Sequence, residues 1–237
     1  MNSNMHKALL SKDEIEKFLA WNRRYLLPVF ARGKEYDPPL IVGGKDCYVW
    51  DASGRKYLDF FSQTWNVNIG HGNNYVIQAI KNQASELSYV TPGHATIVKS
   101  KMAQKLIELM PENLTQCVFF NSGSEAVEAA MKIARECSGR YKIISRWFAY
   151  HGNTFGALSA LGLPSRRRPH EVLLPGFVFV PTPHCFRCRF GLSYPECNIR
   201  CVQFIEDTIK FEDFQRVAAV IAEPIIGTGG VMVPPPE

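Results

Sequence analysis

The apolar positions of the chain change rhythm along its length. Residues 11–27 follow a helical rhythm. Ser11 stands at the N-cap, Glu14 three residues later completes a capping box, and Pro28 follows the end. Residues 46–60, "DCYVWDASGRKYLDF", alternate: Tyr48 and Trp50 face one way, Asp51-Ala-Ser-Gly54 turns, and Tyr57, Leu58 and Phe60 return. This pattern predicts a β-hairpin. Helical spacing resumes over 75–87, with Val76, Ile77, Ile80 and Ala84 on one side, and over roughly 96–110, which Pro111 stops. Beyond this, short apolar runs alternate with helices. Strands are predicted at 117–120, 141–145, 177–180 and 217–222, a helix at 124–137, and the end of a crossover at 211–217. Apolar strands separated by helices predict an α/β fold whose sheet is covered on both faces. The last residues, "VPPPE", read as neither a helix cap nor a finished strand, so an incomplete sheet is expected.

Three of the predicted strands end in turns suited to chemistry. The first delivers Asn121-Ser122-Gly123-Ser124 to a helix whose apolar side runs Ala126, Val127, Ala129, Ala130, Ile133 and Ala134. Free N–H groups, the positive end of the helix dipole and two hydroxyls make such a turn an anion site, best suited to phosphate. By itself the stretch also reads as a capped helix with Ser124 as N-cap. It has neither the Gly-Lys-Ser/Thr of a nucleotide P-loop nor a Gly-x-Gly-x-x-Gly. The second turn is "FAYHGNTFGALSALG", where Tyr150 could stack on a flat cofactor beside His151; a surface Tyr-His pair is the plainer alternative. The third is "VIAEPIIGTGG", which places Glu223 at the C-terminal end of an apolar strand, where α/β sheets hold ligands. Alone, Glu223 also reads as a solvated carboxylate.

Composition narrows the function classes. Of 237 residues, 46% are hydrophobic and 21% charged, an ordinary globular balance. No run of 18 apolar residues appears, so no membrane span is expected, and the N-terminus shows no secretory h-region. A cytoplasmic location follows as an expectation. The net charge of +5 is spread out. Its one knot, Arg166-Arg167-Arg168, lacks the aromatic interleaving of a nucleic-acid surface, and attraction for an anionic ligand suits it better.

"NSGSEAVEAAMKIAR", "YHGNTFGALSALG" and "AAVIAEPIIGTGGV" together resemble the class III aminotransferases, the ω-aminotransferase family dependent on pyridoxal phosphate. "VWDASGRKYLDFFSQTWNVNIGHGNNYVIQAI" is similar to the N-terminal region of that family, and the likeness runs over roughly residues 20–237. The resemblance implies a fold-type I transferase: residues 1–70 as the N-terminal α+β segment of the small domain, and 71–237 as the first part of the cofactor-binding large domain. It implies that Ser122, Gly123 and Ser124 bind the cofactor phosphate. Tyr150 would stack on its ring with His151 beside it, Glu223 would lie near cofactor and substrate, and Trp65 would line the substrate pocket with Tyr150 and Glu223. It further implies amino transfer from an amine or ω-amino acid to a keto acid such as pyruvate or 2-oxoglutarate, and a homodimer at full length.

The family also uses a Schiff-base lysine and an aspartate on the pyridine nitrogen, both beyond the Glu-Pro segment. No lysine or Asp-Glu strand here matches them; Lys210 precedes Glu223 in the wrong context. The chain is therefore expected to be an N-terminal half with no catalytic lysine, inactive by itself. The rivals are a racemase, aminomutase or decarboxylase relative with the same cofactor site, and an inactive or partner-binding remnant.

Seven cysteines without a secretion signal make a disulfide framework unexpected. Four cluster in "HCFRCRFGLSYPECNIRC", where Cys185, Cys188, Cys197 and Cys201 could make a tetrahedral zinc set and a zinc-stabilised binding module. The loop also resembles a cysteine-rich insertion in some class III aminotransferases, where no catalytic metal is expected. No metal is therefore predicted, and the four thiols stay the weak candidates.

Overall fold

The computed structural model describes residues 10–27 and 37–236. Pro28 lies outside the described residues. The chain divides into two compact units, residues 1–99 and 100–237.

In the N-terminal unit, helix α1 (Lys12–Tyr25) has the expected start: Ser11 accepts from the Glu14 amide, and the Glu14 carboxylate accepts from the Ser11 amide at 2.8 Å. The alternating segment forms the expected hairpin, and one more strand before it extends the pair to a three-stranded antiparallel meander. Strand β1 (Ile41–Lys45) adds to β2 (Tyr48–Asp51) and β3 (Lys56–Leu58), in the order β1-β2-β3. Two glycines hid β1 from the pattern. A Cβ on Gly43 would stand 2.6 Å from the Trp50 ring, so the gap in the strand is filled from its neighbour. The turn closes on Asp51, which accepts from the Ser53 hydroxyl at 2.6 Å, the Tyr57 hydroxyl at 2.7 Å and the Ser53 and Arg55 amides. These donors, the Ser53 and Tyr57 hydroxyls first, hold the Asp51 carboxyl down at about 2. Downstream, Asp46 and His71 exchange backbone hydrogen bonds, and His71 Nε2 meets Asp59 Oδ2 at 2.8 Å. Between them Ser62–Trp65 forms a left-handed turn, with φ from 47° to 64° at four successive non-glycine residues. Helix α2 (Asn74–Glu86) follows, capped by Asn73; α3 (Ile97–Ile107) begins at the end of this unit and runs into the next.

In the C-terminal unit, the expected strand at 117–120 does not form. An apolar run becomes a strand only beside a partner, and none pairs with it among the described residues; Val118, Phe119 and Phe120 are exposed. Helix α4 (Gly123–Ser138) ends on Gly139, whose φ of 67° gives the left-handed cap. Then come β4 (Lys142–Arg146), the short helix α5 (Phe155–Ser159), β5 (Phe177–Val180), α6 (Arg200–Phe211) and β6 (Val217–Val220). The three strands form a parallel sheet in the order β5-β4-β6.

Period two along β4 sorts its side chains between two cores. Ile143 joins Met131 of α4 and Ala160 on one face, with Val127 and Phe177 against them. Ile144 joins Val180 and Val217 on the other, against Phe204, Ile205 and Ile209 of α6. Both isoleucines are fully buried, each contributing about 1.5–3 kcal/mol of burial. Helices thus cover both faces, as the pattern predicted. The chain leaves β4 for β5 on one side and returns to β6 on the other. This creates a switch point at the C-terminal end of β4, where open α/β sheets bind ligands.

Candidate active site

Each turn at the sheet's C-terminal end owes its shape to identifiable residues. Ser122, not Ser124, is the N-cap of α4: its hydroxyl accepts from the Glu125 amide at 3.2 Å. Glu125 reaches back to the Asn121 amide at 2.9 Å. The capping job falls to Ser122 because its extended backbone (φ −145°, ψ 157°) precedes the first helical residue. Ser124 is thereby released to face the second turn. Its Oγ accepts from the Asn153 amide at 3.0 Å.

Gly152 makes that approach possible. Its φ is 134°, and a Cβ there would stand 2.4 Å from Ser124 Oγ. Gly123, in contrast, has nothing within 4 Å of where its Cβ would lie. The helix N-terminus is therefore open at Gly123 and closed at Ser124.

Glu223, just beyond β6, is tied to the same neighbourhood. Its Oε1 accepts from the Tyr150 amide at 2.8 Å and its Oε2 from the Gly227 amide at 3.1 Å. The Arg146 guanidinium donates to the Glu223 carbonyl oxygen. Two backbone amides and the nearby Arg146 charge settle this carboxylate at the strand end. His151 is buried, and its Nε2 has no hydrogen-bond partner among the described residues. Burial pushes the His151 imidazole below its ordinary value, Glu223 pulling it up and Arg146 pushing it further down. The ring is thus a neutral group with one unused nitrogen.

Ser122, Gly123, Ser124, Tyr150, His151 and Glu223 therefore belong to one hydrogen-bonded set of turns. Trp65 lies in the N-terminal unit, where its half-exposed ring meets Phe61 edge-on at 5.3 Å.

Two residues of this set are poorly marked in the sequence pattern. Glu128 sits one helical turn beyond Ser124 in α4. Its carboxylate accepts from the Thr154 hydroxyl at 2.6 Å and from the Gly156 and Ala157 amides at 2.9 and 3.1 Å. It caps α5 from a neighbouring helix, answering that helix's orphan amides. The other is Arg146, buried at the end of β4, where the strand pattern predicts only a boundary. A charged residue closing an apolar strand was the one available signal.

The cysteine cluster forms a separate feature. Cys185, Cys188, Cys197 and Cys201 line one cavity of about 20 Å³ with Thr182, whose buried hydroxyl has no partner among the described residues. Burial pushes the Cys201 thiol up, which disfavours the thiolate a metal needs. Among the described residues no three His, Cys, Asp or Glu side chains are placed to hold a metal ion. Nor is any described helix long and apolar enough to cross a membrane.

Comparison with known proteins gives this geometry a context. The profile of the family Aminotransferase class-III matches residues 29–237. An uncharacterized aminotransferase of Bacillus subtilis, YhxA, is 40% identical over 243 residues, covering 99% of this chain and 50% of the relative. A leucine/methionine racemase of Thermococcus litoralis is 37% identical over 204 residues, covering 85% and 46%. The crystal structure of a taurine:2-oxoglutarate aminotransferase from Bifidobacterium kashiwanohense, in complex with PLP and glutamate, superposes with a TM-score of 0.85 at 29% identity, covering 93% of this chain and 50% of that one. The chain spans about half the length of the relatives it matches. With its parallel sheet, its serine-capped helix and its strand-end glutamate, this chain belongs to the class III aminotransferase family.

Proposed function

We propose that the chain forms the phosphate, ring and carboxylate side of a pyridoxal-phosphate site. The complete protein would transfer an amino group from an amine or ω-amino acid to a keto acid such as pyruvate or 2-oxoglutarate. The observation that carries the reading is the hydrogen-bonded convergence of the Ser122, Tyr150 and Glu223 turns in a chain of this family. The residues fit the cofactor. The α4 N-terminus is open at Gly123, and the His151 Nε2 is unsatisfied. When bound, the cofactor supplies the electron sink for amino transfer.

The protein's own part is placement and charge. Ser122, Gly123 and Ser124 hold the phosphate with the helix amides. Tyr150 would lie against the flat ring, and His151, kept neutral by burial, would offer it a hydrogen bond rather than a charge. Glu223 would stand on the substrate side, and Trp65 is assigned to the substrate pocket of the complete protein. On this reading residues 1–70 belong to the small domain and 71–237 to the large one. The lysine that links the cofactor and the aspartate on its ring nitrogen belong to the other half of the family's length. The complete protein is then a cytoplasmic homodimer, and this chain alone is inactive.

The test compares pyridoxal phosphate with pyridoxal by equilibrium dialysis against the purified protein. The phosphate form binds about tenfold or more tightly, and Ser124→Ala erases most of the difference. Equal affinity for both forms sinks the proposal. A second reading, inversion of an amino acid on the same cofactor, is favoured by the likeness to the racemase. With the complete protein, release of a keto acid from the amino donor decides for transfer; its absence with loss of optical activity decides for inversion.

A further inference from the structure

A second cavity lies over the C-terminal ends of β4 and β5, about 440 Å³ in volume and bounded by Trp147, Phe148, Phe179, Arg167, Arg168 and Arg189. That volume lies in the range of small-molecule sites. Glu171 is the only carboxylate in its lining, against three guanidinium groups, and it is engaged with Arg167 at 3.4 Å. Arg168 makes no ion pair among the described residues. The lining takes in Phe148 and Gly162, the two ends of the 148–162 stretch, but none of Ser122, Gly123, Ser124, Tyr150, His151 or Glu223.

Aromatic rings fix two of the three cations. The Arg167 guanidinium lies 4.5 Å from the Phe179 ring centre, and that of Arg189 5.3 Å from Phe148. Phe179 is a residue of β5, and Phe148 lies two residues beyond the end of β4. Stacking holds a planar fork in place and strips part of its water, which readies it for a bidentate anion. Three like charges around one hollow also repel one another, and an anion relieves that repulsion.

We propose that this cavity binds a small multivalent anion, a dicarboxylate or a phosphate group, between Arg168, Arg189 and the Arg167–Phe179 stack. The inference stands without the aminotransferase reading. It also gives a use to the Arg166-Arg167-Arg168 knot, which the strand-end turns leave idle.

Isothermal titration of the purified protein with glutarate and, separately, inorganic phosphate tests it. At least one anion binds saturably. Arg168→Ala and Arg189→Ala each weaken it about tenfold or more, and Glu171→Gln tightens it several-fold. Stronger glutarate binding identifies a dicarboxylate site, and stronger phosphate binding a phosphate site. Far-UV circular dichroism checks each variant. Should Arg168→Ala lose its fold, Arg168→Lys keeps the charge without the fork and shows a partial loss. Saturable binding of neither anion overturns the proposal. So does phosphate binding that Ser122→Ala abolishes while both arginine variants leave it unchanged.

Discussion

The two sheets of this chain solve the same problem over different distances. In β1–β3 each strand pairs with its sequence neighbour, and the buried Asp51 takes its partners from the six residues that follow it. In β5-β4-β6 the middle strand is the first in sequence, and Glu223 finds a partner in Tyr150, 73 residues upstream. One carboxylate finishes a turn; the other joins turns that the chain visits far apart. A local carboxylate shapes only its own hairpin, so its loss stays local. A long-range one sets the distance between two strand ends, which is where a site needs accuracy.

The sharpest way to break the contrast is through the cores. Ile144→Ala, at a fully buried position between two strands and α6, lowers stability by about 2–5 kcal/mol in chemical denaturation. Val49→Ala, in the meander, costs clearly less because its sheet has fewer buried neighbours. Next comes Gly152→Ala. It forces a Cβ against Ser124 at a backbone angle reserved for glycine, costs about 2–3 kcal/mol, and parts the first two turns. Loss of protection at the Asn153 amide in hydrogen exchange reports that separation.

Smaller effects separate the two carboxylates directly. Glu223→Gln, with one acceptor oxygen for two amides, costs about 1–2 kcal/mol and speeds exchange at both Tyr150 and Gly227. Asp51→Ala, which removes the acceptor oxygen, speeds exchange at Ser53 and Arg55 alone. Equal spread of the two effects would erase the distinction between a local and a long-range carboxylate.

Acid sharpens the comparison further. His151 is held below its ordinary value of 6.5, so the unfolded chain takes up a proton that the folded one refuses. Its contribution is present above pH 6.5 and is lost as pH falls below it. Asp51, held at about 2 against an ordinary 3.8, contributes above pH 3.8 and loses that contribution between there and about 2. The C-terminal unit therefore loosens first on acidification, which exchange measured at stepped pH will show. The smallest effect is Ser11→Ala, about 1 kcal/mol on α1.

Much of this was legible in the residues. The α1 capping box, the Asp51 turn, the strands β4, β5 and β6, and the turns after β4 and β6 all follow from local pattern. What escaped the pattern depends on neighbours. Strand β1 was hidden because Gly43 and Gly44 contribute no alternation, and only Trp50 across the ladder explains them. The run 117–120 has the composition of a strand and lacks a ladder. Ser122 takes the cap from Ser124 because the backbone turns extended there, which leaves Ser124 to meet Asn153. Glu128 looks like any solvated helix carboxylate until α5 is placed beside it.

The left-handed turn at Ser62–Trp65 carries a consequence for how this protein can change. Each non-glycine residue there sits about 1–2 kcal/mol above its right-handed alternative, and Thr64, branched at Cβ, suffers most. Glycine at Thr64 would relax the segment, so random mutation can find greater stability here at a single step. What that step would give up is the fixed bearing of Trp65. A steady Trp65 ring and resistance to heat therefore compete for the same four residues.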